Sequence, residues 1–172
     1  RDVAPSRGLG DVYKRQHTWF ECKIRYEKVM ENGMQKKVTE PYLVDALSFT
    51  EAEARIIEEM TPFISGEFTV SDIKRANYSE LFPSDEESAD RWFKCKLIFI
   101  TLDEKSGAEK KTSTQVLVQA ADLRDAVKKL DEGMKGTMAD YQIGMVSETP
   151  LMDVYPYSAE PNDKPEFDPS KA

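Results

Sequence analysis

Two tryptophans set beside basic residues are the side chains of this sequence best suited to binding chemistry. Trp19, Lys23 and Arg25 fall on one face of an alternating segment, and Trp92, Lys94 and Lys96 do the same in a second segment. An indole next to cations can stack a nucleobase while the cations meet phosphates, so the pattern suits single-stranded nucleic acid. The competing reading is plainer: both indoles cover the second face of a sheet, or a seam between two like segments, while the lysine stems run past them.

Catalytic chemistry has little to stand on. The only histidine, His17, adjoins an N-terminal segment of foreign character, so the usual general base near neutrality is missing from the body of the chain. Gly33, Gly66 and Gly107 are isolated turn glycines and form no phosphate-cradling loop. Glu58-Glu59 and Asp85-Glu86 could hold a metal or move a proton. In a chain with 32 acidic against 24 basic residues, however, adjacent carboxylates read as a solvated face. Cys22 and Cys95 occupy matching places on apolar strand faces, which is core packing rather than a disulfide or metal site. The expectation is a non-enzyme with no catalytic residue, no metal and no cofactor.

The elements that carry these residues come as an echo. Trp19, Phe20, Cys22 and Lys23 return as Trp92, Phe93, Cys95 and Lys96 at an offset of 73. Leu43, Val44, Ala46, Ala52 and Met60 return as Leu117, Val118, Ala120, Ala126 and Met134 at an offset of 74, the extra residue absorbed in a turn. In the first copy, Phe20, Cys22, Ile24 and Tyr26 face inward by period two. Asn32-Gly33 predicts a tight hairpin, and a returning strand with Pro41 at its edge runs to Ala46. Thr50 with Glu53 predicts a helix start, Ala54 and Ile57 its sheet-facing stripe, and Thr61-Pro62 its end. A strand follows from Glu67 to about Ala76, where Ile73 breaks the alternation of Phe68 and Val70 and implies a bulge near Asp72. Tyr78, Leu81 and Phe82 finish the copy. The second copy repeats the plan, with Asp122 capping a helix whose stripe includes Val127 and Leu130.

The fold class that results is α+β: two β-β-α-β pseudo-repeats with a largely antiparallel sheet and helices on one face. Because half of the chain is small for a domain, the copies are expected to share a core. The organisation reads as 1–16 translated adapter read-through, 17–82 the first copy, 83–90 an acidic connector, 91–157 the second copy and 158–172 a disordered acidic tail with three prolines. The read-through segment holds four basic and two acidic residues, so setting it aside moves the net charge from -8 to -10 and argues against broad phosphate binding. No apolar run approaches the roughly 20 residues of a membrane helix. With no secretory signal visible, the thiols are expected in a reducing, cytoplasmic compartment.

The segments WFECKIRYEK, YLVDALSFTEAEA and EFTVSDIKRANYSELF resemble an uncharacterised family of gut-bacterial and phage proteins, domain of unknown function 4494, over about Thr18 to Tyr157. The resemblance implies a cytoplasmic protein in a phage or mobile-element context and brings no activity, cofactor or site residue with it. The expected function is a non-catalytic interaction module that binds a protein partner or its own copy through the doubled sheet. The alternative is single-stranded nucleic-acid binding through Trp19, Lys23, Arg25, Trp92, Lys94 and Lys96.

Overall fold

The computed structural model describes residues 18–137 and 139–156; the segment read as read-through, His17 and the acidic tail lie outside the described residues. The described chain falls into two compact units, one made of the residues up to Arg75 together with those from Val154, the other of Ala76–Asp153.

In the first unit, β1 (Trp19–Val29) and β2 (Gln35–Asp45) pair antiparallel from Trp19↔Asp45 to Val29↔Gln35. The hairpin is wider than a two-residue turn. Met30 donates to the Met34 carbonyl at 2.8 Å, Gly33 alone supplies a positive φ of 83°, and the Asn32 side chain accepts from Met34 N–H. The helix α1 (Phe49–Met60) has its cap two residues before Thr50: Ser48 accepts from Glu51 N–H, and the Glu51 carboxylate accepts from Leu47 N–H. The carboxylate thus reaches one residue beyond the cap itself, and the shifted start brings Phe49 into the helix with its ring 4.9 Å from that of Phe20. The stripe moves with it. Ala52, Ile56 and Met60 are buried, whereas Ala54 and Ile57 face out.

The strand β3 (Phe68–Ala76) lies beside β1. Phe68, Val70 and Ile73 all pack on the helix-side core, and strict alternation cannot put Val70 and Ile73 on one face, so the expected phase shift is present. The second unit follows the same order: β5 (Arg91–Leu102), β6 (Glu109–Ala120), α2 (Leu123–Gly133) and β7 (Asp140–Glu148), with Asp122 capping α2 as expected. Its bulge is explicit in the register, which passes from Lys96↔Met145 to Leu97↔Ile143 and leaves Gly144 over. A Cβ there would stand 2.9 Å from Ile98 Cδ1.

Two short strands cross between the sheets. The strand β4 (Glu80–Phe82) follows β3 in the chain but joins the second sheet, pairing parallel with β6; β8 (Asp153–Tyr155) follows β7 but joins the first, beside β2. The sheet orders are therefore β3-β1-β2-β8 and β4-β6-β5-β7. Leu81 and Phe82 thus finish the other unit, not the copy that precedes them.

Each sheet carries its helix over its own apolar cluster. Phe20, Cys22, Ile24, Val44, Ile56 and Met60 fill the first; Phe93, Cys95, Leu97, Val116, Val118 and Leu130 fill the second. Each unit thus has its own helix-side core. Cys22 and Cys95 are free thiols with no exposure, as their place on the apolar faces predicted.

Candidate functional site

The expected binding face does not present its tryptophans. Trp19 and Trp92 are each only 5% exposed, so neither offers an open ring for stacking. The reason lies in their cross-strand neighbours. Leu43 and Asp45, opposite Glu21 and Trp19, and Leu117, opposite Lys94, are fully buried, so each sheet is covered on its second face as well as under its helix at this end. The face opens only farther along the strands: Lys23 and Lys94 are half-buried, Arg25 and Lys96 exposed. The six residues therefore remain two strand segments that grade from packed indole to solvated cation.

The first unit instead concentrates polar groups on its helix-side face, toward the hairpin. Glu40 is the centre. Its Oε1 accepts from the Tyr26 hydroxyl at 2.9 Å and the Tyr42 hydroxyl at 3.3 Å, and its Oε2 stands 3.6 Å from Lys28 Nζ. Tyr42 in turn stacks on Tyr155 of β8 at 6.2 Å between centroids. The strands position this group directly: Tyr26, Lys28, Glu40 and Tyr42 share one face by period two, and antiparallel pairing brings the two pairs together. Burial first, then the hydrogen bond to Glu40 and its charge, pushes the Tyr26 phenol up to about 12; Tyr42 is raised further by the same influences. Burial also raises the Cys22 thiol to about 12, helped by the charges of Glu21 and Asp72, and the Cys95 thiol to about 11.

Beyond this cluster lies an open groove of about 950 Å³. Its one wall is Arg25, Tyr26, Glu27, Lys28 and Val29 of β1 with Gln35 and Lys37 of β2; the other is the segment Phe63–Thr69, which leads from α1 into β3. Phe63 is 76% and Val29 65% exposed. Consecutive strand residues point to opposite faces, so a groove lined by five in a row follows the strand's edge, and Gln35 and Lys37 extend it over the face they share with Arg25, Glu27 and Val29.

None of Tyr26, Glu40 or Tyr42 stood out as a site residue in the sequence. The signal was there as a difference between the copies: at the offsets of 73 and 74 they correspond to Phe99, Thr114 and Val116, and Lys28 to Thr101. The second unit has no ionisable group at any of the four places.

Among the described residues no group of three or more histidine, cysteine or carboxylate side chains is arranged to hold a metal ion, and no helix is long and apolar enough to cross a membrane. No curated protein and no solved structure matches the chain. Over residues 18–157 it matches the family model described as Domain of unknown function (DUF4494), and the chain belongs to that family.

Proposed function

We propose that the chain is a non-catalytic interaction module that binds a protein partner, or a second copy of itself, through the edges and hairpins of its two sheets. One observation carries the reading: large apolar side chains stand in water at the open end of the first unit, with Phe63, Met34 and Val29 each about two-thirds exposed or more. Apolar surface gathered at one end beside a groove is the ordinary mark of a docking surface. The displaced ionisations support a non-enzymatic reading, since the phenols of Tyr26 and Tyr42 and both thiols are all moved away from neutrality and so from acid–base work near pH 7. A cytoplasmic setting, in a phage or mobile genetic element, belongs to the same proposal; it suits two free, buried thiols and the context that the resemblance implies.

The test is site-specific photo-crosslinking in cells from positions 34 and 63 of the full chain. The reading expects discrete adducts, to a partner or to a second copy, that are absent when the photoreactive residue is placed on the outer face of α2 at position 128. Absence of adducts from both positions, in a chain that elutes only as a monomer, would overturn it. Single-stranded nucleic-acid binding through Trp19, Lys23, Arg25, Trp92, Lys94 and Lys96 is the weaker alternative, because stacking needs open indoles. It predicts quenching of tryptophan fluorescence by an oligonucleotide at low salt, where the module reading predicts no change.

A further inference from the structure

Resting on the module reading, we infer that the groove of the first unit takes an extended peptide that adds to the free edge of β1, with an acidic residue in register with Lys28 and apolar residues on either side of it. Among the described residues, β3 stops short of the end of this edge. The Ser71 hydroxyl donates to the Lys23 carbonyl at 3.3 Å, and Phe68 and Thr69 line the groove beside residues 25–29, so β3 runs antiparallel to β1 and begins near Tyr26. The second unit has the same geometry in its register, where β7 begins opposite Ile100 and leaves Thr101 and Leu102 beyond it. Glu27, Lys28 and Val29 thus continue past their neighbour on that side; even-numbered positions along β1 bond to β2, as Met30 N–H does to the Met34 carbonyl, so the main-chain groups of Glu27 and Val29 turn toward the groove. An unpaired strand edge recruits another strand unless it is covered or blocked, and here the wall of residues 63–67 leaves a slot beside it.

Charge selects the occupant. Across the hairpin, Glu27 faces Lys37, but Lys28 faces Lys36, a like-charged pair directly opposed. Glu40 lies opposite Ile24, farther along the same face, and already accepts two phenol hydroxyls, so its contact with Lys28 offsets that row only in part. Among the lining residues, Arg25, Lys28 and Lys37 outnumber Glu27 and Glu67. A strand laid against β1 places one side chain in the Lys36–Lys28 row, and a carboxylate there removes the repulsion. The neighbouring positions of that strand point to the other face, beside Val29 and within reach of Phe63, where apolar side chains cover surface now in water. A second copy of the chain fits badly: the symmetric register of a three-residue edge sets Lys28 against its own counterpart, with Lys36 behind each.

The test uses the full chain and a fluorescein-labelled peptide, Thr-Val-Glu-Val-Thr, followed by fluorescence anisotropy. Saturable binding is expected, weakened about tenfold or more when both valine amides of the peptide are N-methylated, which removes main-chain donors and keeps the side chains. Replacing the peptide's glutamate by lysine, or Phe63→Ser in the protein, is expected to weaken it similarly; Phe63 is exposed enough that the substitution leaves the fold intact. Failure of the parent peptide to bind, or equal binding by the N-methylated one, overturns the edge-pairing inference. If photo-crosslinks from positions 34 and 63 persist while the peptide fails, the groove assignment falls and the interaction module stands; if both fail, the module reading falls as well.

Discussion

Gly133→Ala separates two opposing effects whose balance is set by the crossed strand β4. Taken alone, alanine is the better helix residue, favoured over glycine by roughly 0.5–1 kcal/mol inside a helix. Gly133 closes α2 with ordinary helical backbone, so nothing in its φ resists a side chain. The obstacle is Phe82: a Cβ at 133 would lie 2.8 Å from its Cδ1, 2.9 Å from its Cε1 and 3.2 Å from its Cγ. Contact at Cγ means the ring cannot simply swing aside, and its backbone is tied to Val118 in the parallel pairing with β6. Overpacking of this kind costs about 1–3 kcal/mol, which exceeds the helix gain. The expected result is a net loss of about 1 kcal/mol, read as a fall of a few degrees in Tm by circular dichroism. The same substitution in a Phe82→Ala background should gain stability, because the ring is gone and only the helix preference remains. The sign reversal between backgrounds is the measurement, obtained as a double-mutant cycle. Stabilisation by Gly133→Ala in both backgrounds would refute the placement of β4 against α2.

Two further outcomes follow from the geometry. Tyr26 and Tyr42 have folded-state ionisation raised above the unfolded value of 10.0, so the folded chain holds those protons more tightly; the stability they contribute is complete below pH 10 and is lost as pH rises toward 12 and beyond. Denaturant midpoints measured from pH 8 to about 12, together with phenolate absorbance, should show that loss, and it should shrink in Tyr26→Phe; an unchanged profile in the variant would count against the cluster. A fragment spanning 76–153 contains β4 to β7, α2 and a complete helix-side core, and is expected to show cooperative unfolding on its own, whereas 17–82 lacks β8 and should be markedly less stable; equal stability of the two fragments would contradict the crossed arrangement.

Much of this fold was legible. Alternation at Phe20, Cys22, Ile24 and Tyr26 gave the strand, its inward face and the buried thiol, and the break at Ile73 gave the bulge, because both depend only on the period of two. The helix face was misjudged for a specific reason: α1 has two overlapping cap patterns, Ser48 with Glu51 and Thr50 with Glu53, and two apolar stripes. Only the contact of Phe49 with Phe20 separates them. The destination of β4 and β8 was not readable from period at all, since three residues carry no alternation that distinguishes one sheet from another. A further repeat marks them as equivalent: Leu81-Phe82-Pro83 returns as Val154-Tyr155-Pro156 at the offset of 73. Period two assigns both tryptophans to the second face but says nothing of what covers it, so it left open and covered indoles as alternatives; in the structure they are covered.

The crossed strands also explain two cations that look unrelated in the sequence. Arg55 of α1 donates to the carbonyls of Asp45, Tyr155 and Pro156, tying the helix to β2 and to the residues that end β8. Its counterpart at the offset of 74, Lys129 of α2, donates to Ser84 and Glu86, just beyond β4, and pairs with Asp125 at 3.0 Å. In both units a helix cation thus holds the chain where it leaves the crossed strand. Arginine suits the first place, where three carbonyls surround the site and a planar fork can reach several acceptors at once; lysine suffices in the second, where hydroxyl and carboxylates gather around a single point. The anchoring is common to the two units, while the Glu40 cluster and its tyrosines belong to the first alone. What the two units share is therefore architecture, and what distinguishes the first is the Glu40 cluster of polar groups, which is where a binding role should be sought.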